Sequence, residues 1–258
     1  MRVSIIQLEI KDNLSKNQRI TKVEKILDDL GNVDLVVLPE LWNVGYFSFQ
    51  NYRKEAEKID GETISRMKRK AKEIKAYLMA GSIIEKSDNK LYNTSALLDP
   101  EGNLIASYRK IHLWGYGSDE EKILTSGNEI VTAETNFGTV GISTCYDLRF
   151  PEVYRKQVES GAEIFLISAA WPYPRVEHWL TLNYARALEN ICFLISSNCS
   201  GKNQNNKFLG RSCIIDSYGN TEVTAGEDGC IVRRNIDIGK IKRARDQFPF
   251  LKDRKFRN

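Results

Sequence analysis

Short apolar runs that read as strands alternate with stretches of helical periodicity along nearly the whole chain, and that order restricts it to an α/β architecture. Strands are predicted at 3–8, 34–38, 77–84, 91–98, 104–109, 129–134, 139–144, 164–168, 192–197, 212–216 and 230–236. Between them, Ile20, Val23, Ile26, Leu27 and Leu30 form a helical stripe that Gly31 is placed to stop. Further helices are predicted at 63–75, at 151–160 behind Pro151, and at 177–189. Residues 99–103 read as a hairpin turn between two strands. No linker, repeat or low-complexity stretch interrupts this order, so residues 1–258 read as one domain with a mixed sheet system covered by helices.

A chain of 258 residues buries roughly three quarters of its unfolded surface and needs neither disulfides nor a structural metal. Its five cysteines, at 145, 192, 199, 213 and 230, include no C-x-x-C pair, and its histidines are only His112 and His178. A disulfide framework, a zinc site and a multi-histidine centre are therefore poorly supported, and no metal or cofactor is expected. No apolar run approaches the roughly 18 residues that span a bilayer. Residues 3–8 look like a strand rather than a signal segment, so a cytoplasmic protein with reduced thiols and no membrane association is expected. The formal charge is +4, but residues 240–258 hold eight Lys or Arg against two Asp, which leaves −2 for the rest. A basic tail could touch nucleic acid. Phe248, Pro249, Phe250, Leu251 and Phe256 are interleaved with that charge, and they favour a tail, about 246–258, that packs at a subunit interface.

Three reactive residues share one context: Glu40, Lys110 and Cys145 each lie just past the carboxyl end of a predicted strand. In α/β folds that edge lines the ligand crevice, so groups distant in sequence can converge there. A thiol is mostly neutral at pH 7 and needs a base or a neighbouring cation to act as a nucleophile. Glu40 could be that base, and Lys110 could favour the thiolate and later hold an oxyanion. The bland alternatives are a buried structural cysteine and two solvated strand-end charges. A Cys–His pair through His112 or His178 is a further alternative.

The segments Leu38-Pro39-Glu40-Leu41-Trp42, Tyr108-Arg109-Lys110-Ile111-His112-Leu113 and Cys145-Tyr146-Asp147-Leu148-Arg149-Phe150-Pro151-Glu152 resemble, in order, the three signatures of the nitrilase (carbon–nitrogen hydrolase) superfamily. The resemblance implies an α/β fold, a four-layer α-β-β-α sandwich that often forms a homodimer. It implies Glu40 as general base, Lys110 as oxyanion-stabilising cation and Cys145 as nucleophile, with the Tyr146 N–H as a second oxyanion donor. A second glutamate near the lysine matches Glu120, with adjacent Glu121 one register away.

Residues 170–179, which contain Trp171, Arg175 and His178, and residues 245–250 are similar to the omega-amidase branch. That similarity implies hydrolysis of a terminal amide, as in 2-oxoglutaramate to 2-oxoglutarate plus ammonia. Arg175 is the candidate for binding the substrate carboxylate, since a planar guanidinium pairs with carboxylates bidentately. Tyr146 and Trp171 are expected beside the substrate. Arg149 is expected to be an internal ion-pair partner of Asp147 and Glu152, and the Cys145 sulfur to be exposed. A nitrilase or an N-carbamoyl amino acid hydrolase is the alternative within the superfamily. A basic nucleic-acid-binding module is the alternative outside enzymes, weakened by the absence of an aromatic–basic motif.

Overall fold

The computed structural model describes residues 1–256. Among them are two six-stranded sheets and one three-stranded sheet. The first sheet runs Cys230–Asn235, Arg2–Gln7, Leu35–Val37, Tyr77–Ser87, Lys90–Leu98, Leu104–Arg109. The second runs Thr221–Thr224, Cys213–Ile215, Phe193–Asn198, Ile164–Ala169, Gly138–Thr144, Thr132–Thr135. In each, three adjacent strands are parallel and the flanking pairs are antiparallel.

The two-residue side-chain period sorts these strands into layers. Val3, Ile5, Leu35 and Val37 point into one core with Val140, Ile142, Ile164, Leu166, Phe193 and Ile195, which places the sheets face to face. The alternate residues Ile6, Val36 and Leu78 pack on Ile20, Val23 and Leu27 of the helix Lys16–Asp28 and on Ile64, Met67 and Ala71 of Glu62–Ile74. On the second sheet, Phe165, Ile167 and Leu194 meet Val153 and Tyr154 of Pro151–Glu159 and Trp179 and Ala187 of Val176–Asn190. The result is the expected α-β-β-α sandwich. Inner strands buried on both faces explain the continuous apolar runs in the sequence.

Local signals set the helix ends. Ser15 and Gln18 form a reciprocal capping box at the first helix, and Pro151 takes the first position of its helix. The strand expected from residue 129 begins only at Thr132. Elements too short for periodicity to reveal include the helix Glu120–Ile123 and the strands Glu9–Ile10, Ser200–Asn203 and Asn206–Lys207 of the small sheet. The C-terminal region begins as a helix, Gly239–Gln247, whose Ile241 enters the inter-sheet core. Beyond it Phe248 meets Tyr218 edge-on, Arg254 pairs with Glu159 at 2.7 Å, and Phe256 is 94% exposed. Residues 257–258 of the expected tail lie outside the described residues. No helix among the described residues is long and apolar enough to cross a membrane.

Candidate active site

Glu40 follows the strand Leu35–Val37 into a loop laid across neighbouring strand ends. Leu38 N–H donates to Met79 O (2.9 Å), Leu41 N–H to Ser82 Oγ (3.1 Å) and Trp42 Nε1 to Ala80 O (2.9 Å). Gly81, at φ +73°, makes this crossing possible: a Cβ there would lie 2.1 Å from Pro39 O. Lys110 follows the strand Leu104–Arg109, with its N–H on Asn93 O (2.8 Å) and its carbonyl accepting from Gly127 N–H (2.9 Å). Cys145 ends the strand Gly138–Thr144 and opens a 3₁₀ turn, Cys145–Arg149. Its φ of +48° is a strained conformation for a residue with a side chain.

The structure brings the sequence-predicted groups together in the interior. Lys110 Nζ donates to Glu40 Oε1 (2.9 Å) and to both carboxylate oxygens of Glu120 (2.9 Å each). Glu40 Oε2 accepts from Ala170 N–H at 2.9 Å. The second glutamate beside the lysine is Glu120, which is fully buried, whereas Glu121 is exposed. The Cys145 thiol faces Glu40, Lys110 and the Ala170 N–H. It is only 7% exposed, contrary to the open sulfur expected, because aromatic rings close over it.

Burial dominates the electrostatics, and two carboxylates share one cation. Desolvation raises the Glu40 carboxyl above its usual range; Lys110 opposes the rise and Glu120 adds to it. Burial works against the Lys110 charge, but Glu120 and Glu40 outweigh it and hold the ammonium protonated beyond its ordinary range. Burial and the Glu40 charge push the Cys145 thiol well up, more than Lys110 pulls it down. These surroundings favour the neutral Cys145 thiol, against the thiolate that Lys110 alone could favour.

Two residues outside the sequence-predicted set complete the cluster. Asn93 Nδ2 donates to Glu40 Oε1 (2.8 Å) and Glu120 Oε1 (3.0 Å). Tyr46 OH donates to Glu120 Oε2 (3.0 Å), while its ring lies 5.4 Å from Lys110 Nζ. A polar Asn within the strand-like run 91–98 was the one available signal for Asn93; nothing local marked Tyr46.

A cavity opens over Cys145, walled by Tyr46, Trp114, Tyr116, Tyr146, Trp171 and Pro172 with Arg149 and Arg175. Tyr146, Trp171 and Arg175 all line this cavity. Arg149 lines it too, contrary to the internal ion pair expected: it forms no ion pair with Asp147 or Glu152 among the described residues. Its guanidinium lies 4.7 Å from the Trp171 ring and 5.6 Å from the Tyr146 ring, with Nη2 3.3 Å from His178 Nδ1. Asp147 is already saturated by other donors, which leaves Arg149 facing the cavity. The histidines are engaged elsewhere, His178 by Arg149 and His112 by Asp147 at 2.8 Å.

The sequence matches the carbon-nitrogen hydrolase profile over residues 2–246. The chain belongs to the carbon-nitrogen hydrolase family. This carbon-nitrogen hydrolase is 35% identical to a 2-oxoglutaramate amidase of Paenarthrobacter nicotinovorans, over 98% of the chain and 89% of the relative. It is 36% identical to a 2-oxoglutaramate amidase of Bacillus subtilis (strain 168), over 97% and 96%. Its fold superposes on a CN-hydrolase superfamily protein from Xanthomonas campestris, solved with an arsenic adduct in its active site. That match has a TM-score of 0.93 and 29% identity, covering 100% of this chain and 98% of the other.

Proposed function

We propose that this carbon-nitrogen hydrolase cleaves the terminal amide of a small substrate that also bears a carboxylate, as 2-oxoglutaramate does, through a thioester on Cys145. The observation that carries this reading is the placement of Glu40, Lys110 and Cys145 beneath a cavity walled by aromatic rings and two arginines, with no acidic residue in its lining. The names of the similar amidases point the same way.

The chemistry follows from the hydrogen bonds. As sulfur attacks the amide carbon, Glu40 takes the thiol proton. The carbonyl oxygen gains negative charge and is held by Lys110 and the Tyr146 N–H. Lys110 has three N–H bonds; sharing one between the Glu120 oxygens and keeping one on Glu40 leaves one for the oxyanion. Protonated Glu40 then passes its proton to the departing nitrogen, ammonia leaves, and the acyl group stays on sulfur. Glu40 next activates water, which releases the carboxylic acid and returns the thiol. Glu120 keeps Lys110 charged and aimed throughout.

Arg175 lies with its guanidinium 4.8 Å from the Trp114 ring, at the cavity wall, in reach of a substrate carboxylate. Five free cysteines and dependence on a thiol suit a reducing, cytoplasmic setting. Exposed Phe250 and Phe256 support a homodimer that covers the C-terminal segment. Light scattering should report a dimer for the full chain and a monomer after truncation beyond Gln247. The activity is tested by ammonia release from 2-oxoglutaramate, glutamine, a carbamoyl amino acid and a simple nitrile. Preference for 2-oxoglutaramate is expected; preference for the nitrile or the carbamoyl compound would overturn the amidase reading.

A further inference from the structure

Asp147 has no place in the proton transfers above, yet it is fully buried and accepts four hydrogen bonds. Its Oδ2 takes Tyr108 OH (2.7 Å) and Thr144 N–H (3.0 Å), and its Oδ1 takes His112 N–H (2.9 Å) and faces His112 Nδ1 (2.8 Å). The donors are not a random set. Tyr108 and His112 lie two residues before and two after Lys110, while Asp147 lies two residues after Cys145. One carboxylate thus ties the loop of the oxyanion cation to the turn of the nucleophile.

The tie acts on a strained element. Cys145 holds φ +48°, and the residue between it and Asp147 is Tyr146, whose N–H is the second oxyanion donor of the proposed mechanism. A backbone in a sparsely populated conformation persists only where its surroundings over-determine it. The Asp147 bond to Thr144 N–H, on the other side of Cys145, closes the turn around the nucleophile. The His112 ring is itself fixed, stacked on Phe150 at 3.6 Å and 8°.

We infer that Asp147, clamped by Tyr108 and His112, is the positioning residue that aligns the Lys110 ammonium and the Tyr146 N–H on the oxyanion, so that it acts on acylation and not on substrate binding. The inference rests on the thioester reading above. Hydrogen-bonded carboxylates of this kind are strong anchors, and a displacement of about 1 Å at a reacting centre costs about a hundredfold in rate.

The test uses Asp147→Asn and His112→Phe; the second keeps the stack on Phe150, sits at a partly exposed position and removes only the ring bond to Asp147. For each folded variant we expect kcat on 2-oxoglutaramate to fall about 10- to 100-fold, with KM within about twofold. Alkylation of Cys145 by iodoacetamide attacks a saturated carbon and develops no oxyanion, so its rate should stay near wild type. If Asp147→Asn does not fold, His112→Phe alone decides. Unchanged kcat, a rise in KM at constant kcat, or an equal loss of alkylation and turnover would each overturn the inference. Glu40→Gln is run beside them: if it retains turnover, the reading of the site itself has failed, whatever the Asp147 variants do.

Discussion

Glu40 Oε1 and Lys110 Nζ lie 2.9 Å apart with both side chains sealed from solvent, and Glu120 holds the same ammonium from the other side. Two carboxylates against one ammonium leave a net negative charge in the interior. Burial raises both the Glu40 carboxyl and the Cys145 thiol, and a neighbouring carboxylate adds to each rise, Glu120 for Glu40 and Glu40 for Cys145.

Glu40→Gln preserves the size of the side chain and its contact with Lys110 but removes the base. Acylation and deacylation should both slow, by about 10²- to 10⁴-fold. Intact-mass detection of the thioester in a single turnover, beside steady-state ammonia release, separates the two steps. Lys110→Met should also be severely impaired, and the double variant should lose far less than the sum of the single losses, because the groups act as a unit. Additive losses would show that they do not.

Lys110→Met also bears on stability. It strands Glu40 and Glu120 in the interior without a counter-ion, a change that costs about 3–5 kcal/mol for a buried pair. Denaturant midpoints should fall accordingly, and adding Glu120→Gln should restore part of the loss. No recovery in the double variant would mean that the two carboxylates do not strain the fold.

The pH profile follows from the sign of the shifts. Catalysis needs ionised Glu40, whose carboxyl is raised by burial, so kcat/KM should fall on acidification at a pH above the ordinary Glu value of about 4.3. Lys110 is raised in the folded state, so its contribution to stability is complete below the ordinary lysine value and is lost as pH rises through the folded one. An acid limb of kcat/KM at or below pH about 4.3 would contradict the burial of Glu40.

Thiol labelling should divide the cysteines. Cys192, Cys199 and Cys213 are buried in packing positions, and Cys230 is exposed. Iodoacetamide should therefore modify Cys145 and Cys230 in the native protein. Labelling of Cys145 should be lost in Glu40→Gln, since its proton has nowhere else to go, while labelling of Cys230 should persist. Equal labelling of Cys145 in both proteins, read by peptide mass, would remove Glu40 as its base.

Among the described residues no three His, Cys, Asp or Glu side chains cluster to hold a metal ion. Treatment with a chelator should leave ammonia release unchanged. Activity lost to the chelator and restored by zinc would overturn the scheme in which Lys110 alone carries the positive charge.

The sequence by itself determined the order of strands and helices, because a two-residue or 3.6-residue apolar period is a local property. It also singled out Glu40, Lys110 and Cys145, since each lies in a distinctive short segment, and left Glu120 and Glu121 as alternatives for the second glutamate. Only the tertiary structure decided which second glutamate meets Lys110, because adjacent residues on one helical turn point in different directions. It alone turned Arg149 toward the cavity: Asp147, its expected partner, was already claimed by Tyr108 and His112 from another part of the chain. Tyr46 and Gly81 act through neighbours remote in sequence, so no local pattern revealed them, and Asn93 showed only as a polar residue within a strand-like run. Whether Cys145 rests as a thiol or a thiolate depended on burial and on the sum of surrounding charges, and those exist only once the two sheets have packed.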